Sequence, residues 1–141
     1  MVLEDAPTMK TQRLILPDLD PKLYGLNETY AMVPHQRNRI KRQLQEYIGW
    51  RVKMQKLTPI EGPVWIDYLW VMQNKKRDKS NIAAGGRKII EDALCPMHPK
   101  NNPMGAGILR GDDWDDIVGW TDAFGVDKTA PRVELTITEM K

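Results

Sequence analysis

Apolar and polar positions divide this chain into six elements joined by breaks rich in proline and glycine. Thr11 to Leu16 reads as a short strand that ends at Pro17, because proline lacks the amide hydrogen a ladder needs. Pro17 to Tyr30 is rich in Pro, Asp, Gly and Asn and reads as a loop. From His35 onward, Ile40, Leu44, Tyr47 and Ile48 fall at i, i+4, i+7 and i+8. That spacing is one face of an amphipathic helix, with the arginines on the other side. Pro59 to Pro63 breaks the chain, and Val64 to Met72, apolar on both faces, follows as a central strand. Asn81 is placed to cap a second helix reaching about Leu94, with Ile82, Ile89, Ile90, Ala93 and Leu94 turned inward. Gly85 and Gly86 weaken its first turns, each by about 1 kcal/mol relative to alanine.

Cys95 to Gly111 holds three prolines, three glycines and two asparagines and reads as a flexible loop. Ile117 to Phe124 and Arg132 to Thr138 are the last strands. In the latter, Val133, Leu135 and Ile137 alternate with Glu134, Thr136 and Thr138, the pattern of a half-buried strand. The order strand, helix, strand, helix, strand, strand predicts one small α/β (α+β) domain over residues 1–141, a mixed sheet packed by two main helices. No internal repeat is present.

Composition narrows the class without deciding the function. The 141 residues are 41% hydrophobic and 28% charged, ordinary for a globular chain. The longest apolar run is interrupted by Asp67, so no membrane segment is expected, and MVLEDAPTMK lacks the order of a signal peptide. One cysteine, Cys95, excludes an internal disulfide framework. A cytoplasmic location is the expectation.

The net charge of +2 conceals segregation. Arg37, Arg39, Lys41, Arg42, Arg51, Lys53 and Lys56 share the His35 to Lys56 stretch with one acid, Glu46. Lys75 to Lys88 holds six basic residues, Lys75, Lys76 and Arg77 among them, and one acid, Asp78. Gly111 to Asp127 holds six aspartates and no basic residue. Two basic stretches and one acidic one suit a protein that grips a polyanion and holds a divalent cation. The alternative is that each charged face is simply solvated.

Two segments are candidates for chemistry. Arg77-Asp78-Lys79-Ser80-Asn81 leaves a central strand and enters a helix, so rigid elements on both sides fix the carboxylate. Gly111-Asp112-Asp113-Trp114-Asp115-Asp116 crowds four carboxylates into five positions, which repel unless a cation or a basic neighbour offsets them. Taken singly, each is equally well a helix cap or a solvated turn. Asp78-Lys79-Ser80 opens like a calcium loop, but Ala83 and Ile89 stand where glycine and glutamate are required. Cys95 and His98 have the spacing of half a zinc site with no second pair. No Ser-His-Asp order, phosphate-binding glycine loop or dinucleotide fingerprint is present.

In combination the pieces resemble a family. Asp78-Lys79-Ser80-Asn81, then Lys88-Ile89-Ile90-Glu91-Asp92-Ala93-Leu94, then Gly107-Ile108-Leu109-Arg110-Gly111-Asp112-Asp113 resemble the RusA-type Holliday junction resolvases. There a strand leads into Asp-x-Asp-Asn, a helix carries Lys-x-x-x-Asp-Ala-Leu, and a turn bears Asp-Asp. Arg132 to Glu139 looks like the family's last strand and Leu14 to Pro17 like its first. The clear resemblance covers about residues 74–140; the first third matches only in layout.

The resemblance implies a homodimer, often phage- or prophage-encoded, that binds four-way DNA junctions and cuts paired strands symmetrically with Mg²⁺, for which Mn²⁺ can substitute. It implies metal ligation by Asp78, Asp112 and Asp113, and it matches Lys88 to a catalytic lysine that offsets charge on the phosphate or protonates the leaving oxygen. DNA contacts would come from Arg37, Arg39, Lys41, Arg42, Lys75, Lys76 and Arg77, through phosphates and without sequence readout. The chain departs from the pattern at three places. The family's second acid falls at Ser80, a neutral and weaker ligand. Ala83 to Gly86 adds about one helical turn before Lys88, and the loop from Cys95 to Gly107 is long. A resolvase, an impaired descendant that binds branched DNA without cutting, and an unrelated binding module are the competing functions.

Overall fold

The computed structural model describes residues 10–17 and 19–140. Its elements are β1 (Thr11–Pro17), α1 (Pro21–Tyr24), α2 (Leu26–Ala31), α3 (Pro34–Met54), β2 (Val64–Met72), α4 (Lys79–Leu94), β3 (Ile117–Val126) and β4 (Arg132–Glu139). The strands form one mixed sheet in the order β1-β4-β2-β3. β2 pairs parallel with β3 and antiparallel with β4, while β1 pairs antiparallel with β4. The fold is therefore α+β. β2 lies inside the sheet, as its two-sided apolar pattern requires.

One face of the sheet is built from Leu14, Leu16, Val64, Ile66, Tyr68, Trp70, Val133, Leu135 and Ile137, all buried. Register aligns them into rows: Leu16, Val133, Trp70 and Phe124 form one, and Leu14, Leu135, Tyr68 and Asp122 the next. Leu44, Ile48 and Val52 of α3 and Ile82, Ile90, Ala93 and Leu94 of α4 close the same core. The other face of β2 is only half-buried at Trp65, Asp67 and Leu69.

Two expectations about local structure need correction, and a third gains a packing reason. The Pro17–Tyr30 stretch contains two short helices rather than a plain loop. Asp20 accepts the Lys22 amide at 2.9 Å and Pro21 opens α1, a capped turn too short to show an apolar period. Asn81 is not the cap of α4: Asp78 holds that position, without a side-chain cap bond. Asn81 is instead buried one turn in, where its Oδ1 accepts the Asn27 amide at 2.6 Å and its Nδ2 donates to Glu28 at 3.3 Å. The paired glycines are contact points as well as weak helix formers. A Cβ on Gly85 would lie 2.0 Å from the Tyr24 carbonyl oxygen, and one on Gly86 would lie 2.5 Å from the Trp70 ring.

The Cys95–Gly111 segment carries no helix or strand of its own, but it is tied down. The amides of Ala106, Ile108 and Leu109 donate to Ala93 and Leu94 at the end of α4, at 2.8, 2.8 and 2.9 Å. Ile108 and Leu109 are buried in the core. This anchoring delivers the acidic turn to the start of β3.

Candidate functional site

α4 brings Lys88 and Asp92 onto one face by their four-residue spacing. Lys88 Nζ lies 3.1 Å from Asp92 and 3.4 Å from Asp112, and Lys41 Nζ on α3 reaches the other oxygen of Asp92 at 3.1 Å. The result is an alternating chain of charge, Lys41–Asp92–Lys88–Asp112, that joins both helices to the acidic turn. Burial works against the Lys88 ammonium, but its bonds to Asp92 and Asp112 prevail and hold its pKa above the usual lysine value. Beneath the chain, Tyr68 donates to Glu91 at 2.8 Å. Burial pushes the Glu91 carboxyl up, a rise that the Tyr68 hydroxyl and the Arg87 and Lys88 charges only partly offset.

Cys95 ends α4 beside this cluster. Burial first, and then the charges of Asp112, Asp92 and Glu91, push its thiol up to about 12. At pH 8 roughly one part in ten thousand is thiolate. Cys95 is therefore expected to resist thiol-specific alkylation in the native protein and to react rapidly in denaturant. Mass spectrometry of the labelled chain gives the readout, and fast native labelling would show that the end of α4 opens.

The acidic turn is resolved by division of labour. Asp116 organises it: its Oδ1 accepts Arg110 Nε at 2.7 Å, its Oδ2 accepts the Asp113 amide at 3.2 Å, and its carbonyl accepts the Val64 amide at 2.9 Å. Asp112 faces Lys88. Asp113 and Asp115 are exposed and form no ion pair among the described residues, and Trp114 between them is 94% exposed. The basic neighbours that four adjacent carboxylates require are thus Arg110 and Lys88.

Asp78 and Ser80 are both exposed at the opposite end of α4. Ten helical residues place Lys88 about 15 Å along the axis from Asp78. β2 gives a second measure: the acidic turn adjoins its first residue, Asp78 lies beyond its last, and nine residues span about 26 Å. One chain thus joins Lys88 to Asp112 but does not join Asp78 to Asp112 and Asp113. Among the described residues no three His, Cys, Asp or Glu side chains lie close enough to share a metal ion. The residue types suit a hard cation, whereas their spacing within a single chain does not.

The basic residues divide in the same way. Arg39, Arg42, Lys75 and Lys76 are exposed and form no ion pair among the described residues. Lys41 is engaged by Asp92, and Arg77 lies 3.0 Å from Glu28. Arg37 donates to the carbonyls of Thr29 and Met32 at 3.2 and 3.1 Å, fastening the end of α2 to α3.

Sequence patterns did not single out Asp122, although it is a junction of the interior. It accepts Trp70 Nε1 at 2.9 Å and pairs with Arg87, whose guanidinium also lies 5.1 Å over the Trp120 ring. Asp92 was missed as well, although its i+4 spacing from Lys88 is a signal that could have found it. No protein-family model matches the chain, and no curated protein matches its sequence.

Proposed function

We propose that this chain acts on branched DNA as a homodimer, as a Mg²⁺- or Mn²⁺-dependent endonuclease of the junction-resolving kind. The observation that carries the proposal is the meeting of Lys88 with Asp112, two residues brought together from the helix and the acidic turn. The separation of Asp78 is consistent with a site that two chains complete. β3 is an edge strand, with Val118, Trp120 and Val126 about half exposed along it. A long, apolar, unpaired edge is a template for another strand. Antiparallel pairing of two β3 strands about a two-fold axis sets the Ile117 end of one against the Val126 end of the other. Asp112 and Asp113 precede Ile117, and Asp78 stands near the far end, where Lys79 Nζ lies 5.5 Å over the Phe124 ring. Such a pairing would bring Asp112 and Asp113 to the same end of the interface as the partner subunit's Asp78. Exposed Arg39, Arg42, Lys75 and Lys76 would contact phosphates.

Among the described residues no helix is long and apolar enough to cross a membrane. We place the protein in the cytoplasm, that of the bacterial host if it is phage-encoded.

The test is a synthetic four-way junction offered in Mg²⁺, in Mn²⁺ and in EDTA, with binding and cleavage scored separately. Binding tighter to the junction than to linear duplex, falling steeply with salt, is expected. Cleavage should need the cation and run faster in Mn²⁺, because Ser80 contributes no charge. Ser80→Asp should then raise the rate in Mg²⁺. Equal affinity for junction and duplex would remove the proposal. Tight junction binding with no cleavage in either metal, even for Ser80→Asp, would establish the second function: a binder that does not cut. Ser80, in place of an acid, is the observation favouring that alternative.

A further inference from the structure

A groove of about 500 Å³ lies between α3 and the residues around Pro103 to Ala106, one helical turn along α3 from Lys41. Gln45, Trp50, Lys53 and Met104 line it, with Glu46 and Gly49. Three observations indicate a ligand. Gln45 is only 3% exposed, yet its side-chain Nε2 has no hydrogen-bond partner among the described residues, whereas buried amides are normally satisfied. Trp50 is 55% exposed, and the Arg51 guanidinium lies 5.3 Å from the centre of its ring, a contact that steadies an indole otherwise open to solvent. Gly49 sits within a 21-residue helix, where glycine is disfavoured, but a Cβ there would meet nothing within 4 Å. No packing contact requires glycine at this position. Its effect is to leave the groove open.

The lining identifies the occupant. Glu46 and Lys53 balance each other, so the groove is not built for a bare anion. A broad aromatic face, a thioether and one buried amide donor suit a planar, apolar-faced ligand with a hydrogen-bond acceptor on its edge. Exposed Arg39 and Arg42 on the same helix add contacts for a phosphate backbone. The geometry points to a groove that takes an unstacked nucleobase: Trp50 stacks on it, and the Gln45 side chain, which lines the groove with its amide nitrogen buried and unpaired, turns to donate to a carbonyl or ring nitrogen on its edge. The inference rests on the branched-DNA function and deepens it, since branched intermediates carry single-stranded gaps and tails whose bases are unstacked, whereas fully paired arms keep theirs stacked.

Two probes separate the inference from the function beneath it: a ten-nucleotide oligo(dT), and a four-way junction with fully paired arms, both at one salt concentration. The wild type should bind both. Trp50→Ala should weaken oligo(dT) binding between about 5- and 150-fold, and Gly49→Leu, which fills the groove, by at least about 10-fold. Junction affinity should change by less than about 3-fold in each. Gly49→Ala should melt no lower than wild type, because its Cβ enters open space, and Trp50→Ala, altered at an exposed ring, covers the case in which Gly49→Leu does not fold. A wild type that binds the junction but not oligo(dT), or variants that bind oligo(dT) as wild type does, would overturn the groove alone. A wild type that binds neither probe overturns both the groove and the DNA function.

Discussion

Mixing Asp78→Asn chains with Asp113→Asn chains is expected to restore cleavage that neither variant has alone. Each pure homodimer lacks one carboxylate from both of its sites. Its rate in Mn²⁺ should fall at least about 100-fold, since even the outer partners of metal sites carry effects of 10- to 100-fold. In a mixed dimer whose sites are shared across the two-fold axis, one site collects both substitutions and the other collects none. Random assortment of equal amounts makes half the dimers mixed, each with one intact site, so about a quarter of wild-type site activity should return. The products should be nicked junctions rather than paired cuts, because only one site of each mixed dimer works. The separation of Asp78 from Asp112 along β2 makes this outcome specific: were the site confined to one chain, every chain in the mixture would stay defective. A mixture as inert as its parents, beside an active wild type, excludes the shared site. Light scattering showing a monomer at micromolar concentration would exclude it more directly.

The largest effect on stability is expected at Trp70. This side chain is fully buried, stacks on Tyr68 with ring centres 5.3 Å apart and planes 10° apart, and lies 6.1 Å from the Tyr24 ring. Its indole nitrogen donates to Asp122, the partner of Arg87. Trp70→Ala removes the packing, leaves a cavity and takes a donor from a half-buried carboxylate. Substitutions of this kind cost about 3–5 kcal/mol, against a total stability of about 5–15 kcal/mol for a domain. The variant should unfold at much lower urea or be largely unfolded at 37 °C. Gly86→Ala is the complementary test. Alanine in a helix interior ordinarily stabilises by about 0.5–1 kcal/mol, but here the new methyl would sit 2.5 Å from the Trp70 ring. Overpacking costs about 1–3 kcal/mol, so the usual sign should reverse. A Gly86→Ala protein as stable as wild type would mean that α4 does not rest on Trp70.

These two tests draw on different depths of the sequence. Val64–Met72 was legible as a central strand because both of its faces are apolar, and Arg132–Thr138 as a half-buried one because only alternate residues are. The helix from His35 declared itself through Ile40, Leu44, Tyr47 and Ile48. Helices α1 and α2 did not, since elements of four and six residues cannot display a period, and Gly and Pro in their midst signal turns equally well. Asn81 looked like a cap because capping chemistry and burial against Asn27 use the same amide. Around the site, the Lys88–Asp92 spacing could have been read directly. The distance between Asp78 and Lys88 follows from their ten-residue spacing along one helix, but that Asp112 would join Lys88 depends on the direction in which β3 runs. Composition does not encode that direction.

The pairing of β1 with β4 has a consequence for how the chain is made. Thr11 is matched to Thr138, and β2 has its neighbours in β3 and β4, both of which follow it. At about 5–20 residues per second, the ribosome needs roughly 6–25 s after adding Thr11 before its ladder partner is added. Neither β1 nor β2 can be covered on any edge during most of that interval. The sheet must close by contacts between distant parts of the sequence, which slows folding. Newborn chains should therefore depend on chaperones that hold exposed strands, and the dependence should end abruptly when β4 leaves the exit tunnel.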